Sequence, residues 1–259
     1  MSEIHCEEKE KSAMKIFMPL YLKISRKRFY RPFKPLGTKK KLWHLVSLPE
    51  NAADLFKAAP FLVGLSKIGN VVTLMPKNLE PIRSIIKSKQ FEIILYEKCP
   101  SLFSEDYKRV ALQLGNRHFH FLIELNQPAN LSLPYLGNIQ RRISFYSKDI
   151  FPYYNILVKD GYTSLSEFFN IESENGQEMF HFYSRELKAV ERKYRKSRPL
   201  LFVNETTPVD WKGGSVVVGQ DVMPDDPEIW KILYITDAYY GKKDAFHEFA
   251  VLHNKEILI

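Results

Sequence analysis

At 259 residues, with 45% hydrophobic and 14% aromatic residues, the chain is long enough to bury one large α/β domain or two small ones, which excludes wholesale disorder. Its two cysteines, Cys6 and Cys99, have no CxxC-type neighbour, which excludes a disulfide scaffold or a cysteine-based zinc site and fits a reducing compartment. The net charge of +8 is not spread evenly: residues 11–49 hold eleven bases and no acid, residues 1–10 are acidic, and from residue 50 onward acids and bases balance.

No stretch reaches the roughly 18 apolar residues of a membrane span, and the acidic start is wrong for a secretory signal. A cytoplasmic protein, peripheral at most to a membrane, is expected. Residues 11–41 interleave bases with Ile16, Phe17, Leu20, Tyr21, Phe29, Tyr30 and Phe33. Pro19, Pro32 and Pro35 forbid one long helix there. A short basic amphipathic piece followed by an extended arm is expected, standing apart from the core. Lys23, Arg26, Lys27, Arg28, Arg31 and Lys34 are its candidate contacts to a polyanion. An anionic membrane surface and nucleic acid phosphates both suit this composition, and a protein partner stays open.

From residue 42 short apolar runs alternate with helical segments. Strands are predicted over 42–48, 71–75, 91–96, 119–125 and 142–145, with helices over 51–68, 79–87, 101–114 and 131–139. An apolar run follows at 156–158 and a helix at 165–169. This alternation is the pattern of βαβ units on a parallel sheet. Polar residues 172–177 mark a boundary, and a long charged helix over 179–196 is expected to link two lobes. The second set comprises strands over 200–203, 216–218, 233–235 and 257–259, and helices over 226–231 and 245–253. The fold class is therefore α/β, with two Rossmann-like lobes, the second small and incomplete. The expected division is 1–41 extension, 42–175 first lobe, 176–259 second lobe.

No phosphate-binding glycine loop, GxSxG or HExxH occurs. Gly213-Gly214 reads as a hairpin turn before the next strand. His118 and His120 fall on one face of a strand, but spacing places no third ligand, so no metal is expected.

Three segments together resemble bacterial heptosyltransferases of glycosyltransferase family 9. The first is Leu42-Trp43-His44-Leu45-Val46 followed by Ala53-Asp54-Leu55-Phe56-Lys57-Ala58-Ala59-Pro60. The second is Phe121-Leu122-Ile123-Glu124-Leu125 with Arg141-Arg142-Ile143-Ser144-Phe145. The third is Ile235-Thr236-Asp237, Gly241 and His247, followed by Phe249-Ala250, Leu252 and Lys255. The resemblance implies the GT-B fold and metal-independent transfer of a sugar from a nucleotide-sugar to a saccharide or lipid-linked acceptor, as in lipopolysaccharide assembly. No cofactor is implied beyond the nucleotide-sugar substrate.

Residue by residue, the resemblance makes Asp54 the catalytic base, and Asp237, Gly241 and His247 the donor contacts across an interlobe cleft. Ala53 stands where the family has glycine. The spacing from Asp237 to Gly241 to His247 is longer than the family's, and Phe202-Val203-Asn204-Glu205 replaces a basic segment. These departures favour a second reading, a fold relative that has lost catalysis and serves in binding or assembly. A third reading is a nucleic-acid-binding protein using the basic arm.

Overall fold

The computed structural model describes residues 18–30, 41–97, 100–159, 161–172, 174–194, 198–205 and 210–258. Cys6, Cys99, Arg31 and Lys34 lie outside these.

The larger sheet contains β1 (Leu42–Ser47), β2 (Gly69–Pro76), β3 (Phe91–Tyr96), β4 (Phe121–Glu124), β5 (Arg141–Phe145) and β6 (Ile156–Val158). Its order is β3-β2-β1-β4-β5-β6 and every pairing is parallel. Strand order reverses between β1 and β4, which pair in register from His44↔Phe121 to Ser47↔Glu124. Parallel strands buried on both faces read as nearly continuous apolar runs, and β2 and β4 do so.

Helix α1 covers residues 18–25. The helices that follow are α2 (Ala52–Ile68), α3 (Glu80–Arg83), α4 (Glu105–Leu114), α5 (Gly161–Phe169), α6 (Ser184–Lys193), α7 (Ile229–Ile235) and α8 (Ala245–Leu252). The smaller sheet contains β7 (Leu200–Asn204), β8 (Gly214–Val217), β9 (Ala238–Gly241) and β10 (Glu256–Leu258), ordered β10-β9-β7-β8, again all parallel.

Helix α2 starts at Asn51, whose side chain accepts from Asp54 N, and buries Leu55, Phe56, Phe61, Leu62 and Leu65. One apolar cluster runs from this face of the large sheet through Phe180 and α7 to α8 and the small sheet. Phe56 stands 5.0 Å from Trp230 and 5.2 Å from Phe249, ring centre to ring centre. A second cluster fills the opposite face of the large sheet with Leu45, Leu74, Val110 and Tyr154.

Several expectations need correction. The strand expected over 233–235 is the end of α7, and the fourth strand of the small sheet is Ala238–Gly241. A short apolar run such as Ile232-Leu233-Tyr234-Ile235 fits both periodicities, and only packing decides. Gly213-Gly214 is not a hairpin turn, because β7 and β8 are parallel. A side chain at Gly213 would run into Pro199 O at 2.0 Å, so close backbone approach explains that glycine. The helix expected over 131–139 is a single 3-10 turn, Leu133–Tyr135, and the one over 179–196 is only Ser184–Lys193.

The basic extension is not an arm apart from the core over its described part. Phe29 is buried in the second cluster. Tyr153 Oη donates to Leu22 O, and Arg142 Nη2 donates to Phe29 O at 3.3 Å. Arg142 is itself buried and spends its other N–H groups on Tyr153 O, Ile139 O, Gln140 O and Pro152 O. Burial lowers its basicity to about 10.

Candidate active site

In an open parallel sheet ligands bind beyond the carboxyl ends of the strands, where strand order reverses. A cavity of about 600 Å³ lies there, against Ser47 at the end of β1, Leu125 after β4 and Phe145 at the end of β5. Its other walls come from the start of α2, the loop 126–132, the start of α5, and Met18 and Leu22 of α1.

Asp54 stands on the rim in the first turn of α2. Asn51 Nδ2 donates to Asp54 Oδ2 at 2.7 Å, Tyr162 Oη donates to Asp54 O at 3.2 Å, and Lys57 Nζ is 3.7 Å from Asp54 Oδ1. With the side chain about half exposed, the carboxylate is both oriented and accessible. Lys57 also stands 3.6 Å from Glu248 of α8, so one ammonium bridges the two helices.

Glu124 and Asn126 were not singled out from the sequence, yet Asn126 lines the cavity and the buried Glu124 holds it in place. Glu124 ends β4 fully buried and accepts from Asn126 N at 2.9 Å, Asn126 Nδ2 at 2.8 Å and Asn130 N at 3.3 Å. Burial pushes its carboxyl up to about 7 despite these donors. Asn126 also donates to Leu48 O and Ser47 Oγ and accepts from Glu50 N, tying the loop after β1 to the loop after β4. The readable signal was an acid closing the apolar run Phe121-Leu122-Ile123.

The donor candidates are dispersed. Asp237 precedes β9, at the amino-terminal edge of the small sheet, opposite the carboxyl ends. It accepts from Leu200 N at 2.7 Å and from Arg198 Nη1 at 3.0 Å. Burial alone would raise its carboxyl, but these donors hold it below the usual range. It is not among the described residues lining the cavity that Asp54 borders. Gly241 is at the carboxyl end of β9, opposite Asn204 of β7, where the small sheet reverses its order. It has φ +150°, and a side chain there would meet Asn204 O at 2.9 Å.

His247 is in the first turn of α8. Its Nδ1 is buried without a hydrogen bond among the described residues and lies 3.7 Å from Glu248 Oε1. The structure thus brings His247, through Glu248 and Lys57, into the neighbourhood of Asp54, and leaves Asp237 out. Asp244 was also missed. Its carboxylate caps α8, accepting from Phe246 N at 2.9 Å and His247 N at 3.2 Å, as well as from Asn204 Nδ2 and Tyr239 Oη. The amides an anion would use at that helix start are therefore taken by the protein's own acid.

Of the polyanion candidates, Lys23, Arg26 and Lys27 are exposed beside the exposed Leu20 and Ile24. Arg28 instead lies over the Tyr135 ring at 4.7 Å. His120 Nδ1 accepts from Trp43 N at 3.0 Å, and among the described residues no three His, Cys, Asp or Glu side chains are grouped to hold a metal. No helix among them is long and apolar enough to cross a membrane.

Parallel sheets of six and four strands, each with its strand reversal facing a helix start, define a two-sheet GT-B-type α/β protein. The same fold is found in a glycosyl transferase family 9 protein from Veillonella parvula, with a TM-score of 0.63 at 11% identity, covering 86% of this chain and 82% of that one. E. coli heptosyltransferase WaaC with ADP matches with a TM-score of 0.53 at 8% identity, over 83% of this chain and 86% of that one. WaaC with ADP-2-deoxy-2-fluoro heptose matches at 9% identity, with the same TM-score. No protein-family model and no curated protein sequence matches the chain.

Proposed function

We propose that this chain is a glycosyltransferase-like protein that moves a sugar from a nucleotide-sugar donor to a saccharide or lipid-linked acceptor. The observation that carries this reading is the cavity at the strand reversal of the large sheet with an oriented, accessible carboxylate, Asp54, on its rim. Inverting transfer needs a base for the acceptor hydroxyl and positive charge for the departing diphosphate. Asp54 is the base: it accepts the hydroxyl proton as the acceptor oxygen attacks the donor's anomeric carbon and the nucleoside diphosphate leaves. Lys57, 3.7 Å from Asp54, supplies the positive charge. The solved relatives with ADP and an ADP-sugar support a nucleotide-sugar as donor. The exposed Leu20, Lys23 and Ile24 of α1, with Arg26 and Lys27 just after it, suit the anionic cytoplasmic face of a membrane as the working surface.

A second reading, a non-catalytic relative that binds a saccharide, has its own support. Asp244 occupies the amides at the start of α8, and Phe56, Trp230 and Phe249 fuse the two lobes where an open cleft was expected. Incubation with a panel of nucleotide-sugars and saccharide acceptors, with product read by mass spectrometry, separates the two. Product with any donor supports transfer. Absence of product together with absence of nucleoside diphosphate binding leaves the second reading.

A further inference from the structure

Beyond residue 50 charges balance overall but not locally: residues 185–198 hold seven bases against two acids. The structure gathers three of these bases around one groove of about 440 Å³, a volume of small-ligand size. The groove lies where α6 runs out and β7 begins, at the amino-terminal edge of the small sheet. None of its described lining residues also lines the cavity beside Asp54. Lys188 and Arg192 come from α6 and Arg198 from the segment leading into β7, while the buried Leu200 and Ile235 close the bottom.

The three bases are held differently. Lys188 and Arg192 are four residues apart, so they share one face of α6, about 6 Å apart along its axis. Both are exposed, and neither makes an ion pair or hydrogen bond among the described residues. Two unanswered like charges at that spacing disfavour a helix. The helix dipole accounts for cations in the last turn of α6, such as Arg192, but not for Lys188 before it. Arg198 is fixed in place. Its Nη1 donates to Ile235 O at 2.8 Å and to Asp237 Oδ2 at 3.0 Å, and its Nη2 donates to Glu191 Oε1 at 3.3 Å. Of a guanidinium's N–H groups this leaves Nε–H and one Nη2–H, the side-on pair of the fork, unspent. Asp237, remote from Asp54, thus orients an arginine at this groove.

A fork held still beside two free cations matches phosphate oxygens, and its spread along α6 matches more than one phosphate. Glu191, the acid among the described lining residues, is engaged by Arg198. A lipid surface is served less well, because no described lining residue is an exposed large apolar side chain like Leu20 and Ile24 of α1. Base stacking is poorly served too. Tyr194 is half-buried against the core, with Lys193 Nζ 5.3 Å over its ring. We infer that this groove is a binding site for a small diphosphate, free or esterified, separate from the cavity beside Asp54. The binding does not depend on sugar transfer.

The test is calorimetric titration of the full chain at low salt, with the site located by amide chemical-shift changes in the ¹⁵N-labelled chain. Inorganic pyrophosphate and ADP are the free and the esterified probe, and the tighter of the two identifies the source. At least one is expected to bind about tenfold more tightly than orthophosphate, with shifts on α6 and the start of β7. Lys188→Ala combined with Arg192→Ala, both exposed on a helix that alanine favours, should weaken it about tenfold. Glu191→Gln, which removes an acid from the lining and frees Arg198, should tighten it about threefold. Binding of neither probe, shifts confined to the surroundings of Asp54 and Gly241, or affinity that the double substitution leaves unchanged would overturn the inference. So would tighter binding of a single-stranded oligonucleotide or of anionic vesicles that the same double substitution abolishes, since this face would then dock a macromolecule. Diphosphate binding at α6 in a chain that turns over no donor leaves the inference standing while the transfer reading falls.

Discussion

Two aspartates at helix starts have opposite consequences. Asp54 keeps its carboxylate at the cavity rim while Asn51 does the capping of α2. Asp244 does the capping of α8 itself and closes that helix start to an outside anion. Asp244→Ser retains a capping hydroxyl and removes the charge. Calorimetric titration of ADP and UDP should show affinity raised about tenfold, the scale of relieving one close like-charge contact; unchanged affinity would mean that the diphosphate does not approach α8. His44 is a third informative residue. It is fully buried in β1 with neither ring nitrogen hydrogen-bonded among the described residues, and burial, with His120 nearby, lowers it to about 4. A folded value below the unfolded 6.5 means that the unfolded chain binds more protons between pH 6.5 and 4. The stability this neutral imidazole allows is full above 6.5 and is lost as pH falls through that window. Glu124, raised to about 7, works the other way, its contribution fading as pH rises from about 4.5 to 7. His44→Leu removes the acid-sensitive group, so urea unfolding at pH 5 and pH 7.5 should show the variant gaining about 2 kcal/mol on wild type at the lower pH. An equal difference at both values would show that His44 does not titrate on unfolding.

Elements differ in how much of themselves they disclosed. Most of the strand and helix alternation from residue 42 to 145 was legible because parallel strands buried on both faces are short apolar runs, and Asn51, Gly69 and Gly115 punctuate the helices. α7 and β9 were misjudged because Ile229–Ile235 is apolar except for Lys231, being packed between α6, α8 and the small sheet. α1 was misjudged for a different reason. Its charge is legible, but it is tied down by Tyr153, which donates to Leu22 O, and by the buried Arg142, which donates to Phe29 O just beyond the helix, both more than a hundred residues away, and no local pattern reports such bonds. Two variants separate the roles of the basic extension. Phe29→Ala should cost about 2–4 kcal/mol in urea unfolding, as a buried aromatic does, while replacing Lys23, Arg26 and Lys27 by alanine should leave stability unchanged. The triple variant should instead lose binding to vesicles of one-third anionic lipid, by roughly 1 kcal/mol per base. Stability that ignores Phe29→Ala would restore the picture of a free arm.

At the scale of the whole molecule, the two sheets share one apolar core through α2, Phe180, α7 and α8. Unfolding should therefore be a single transition, with tryptophan fluorescence and far-UV circular dichroism coincident; two resolved transitions would mean that the lobes are thermodynamically separate. The sequence carried the fold and the place of Asp54, because strand, turn and helix start are local. It could not carry the hold of buried Glu124 on the cavity-lining Asn126, the cap made by Asp244, or the exile of Asp237 to the far edge of its sheet, since each depends on which strands lie side by side. In the proposed function Asp54, at the strand reversal of the large sheet, is the base of a sugar transfer. Asp54→Asn keeps the shape and removes proton acceptance, so the measurement is kcat and donor affinity for wild type and variant with whichever nucleotide-sugar is turned over. The account predicts a fall in kcat of about 10²–10⁴ with donor affinity unchanged. Turnover that survives the substitution, or a wild type that neither binds a nucleoside diphosphate nor turns over any donor, would contradict it.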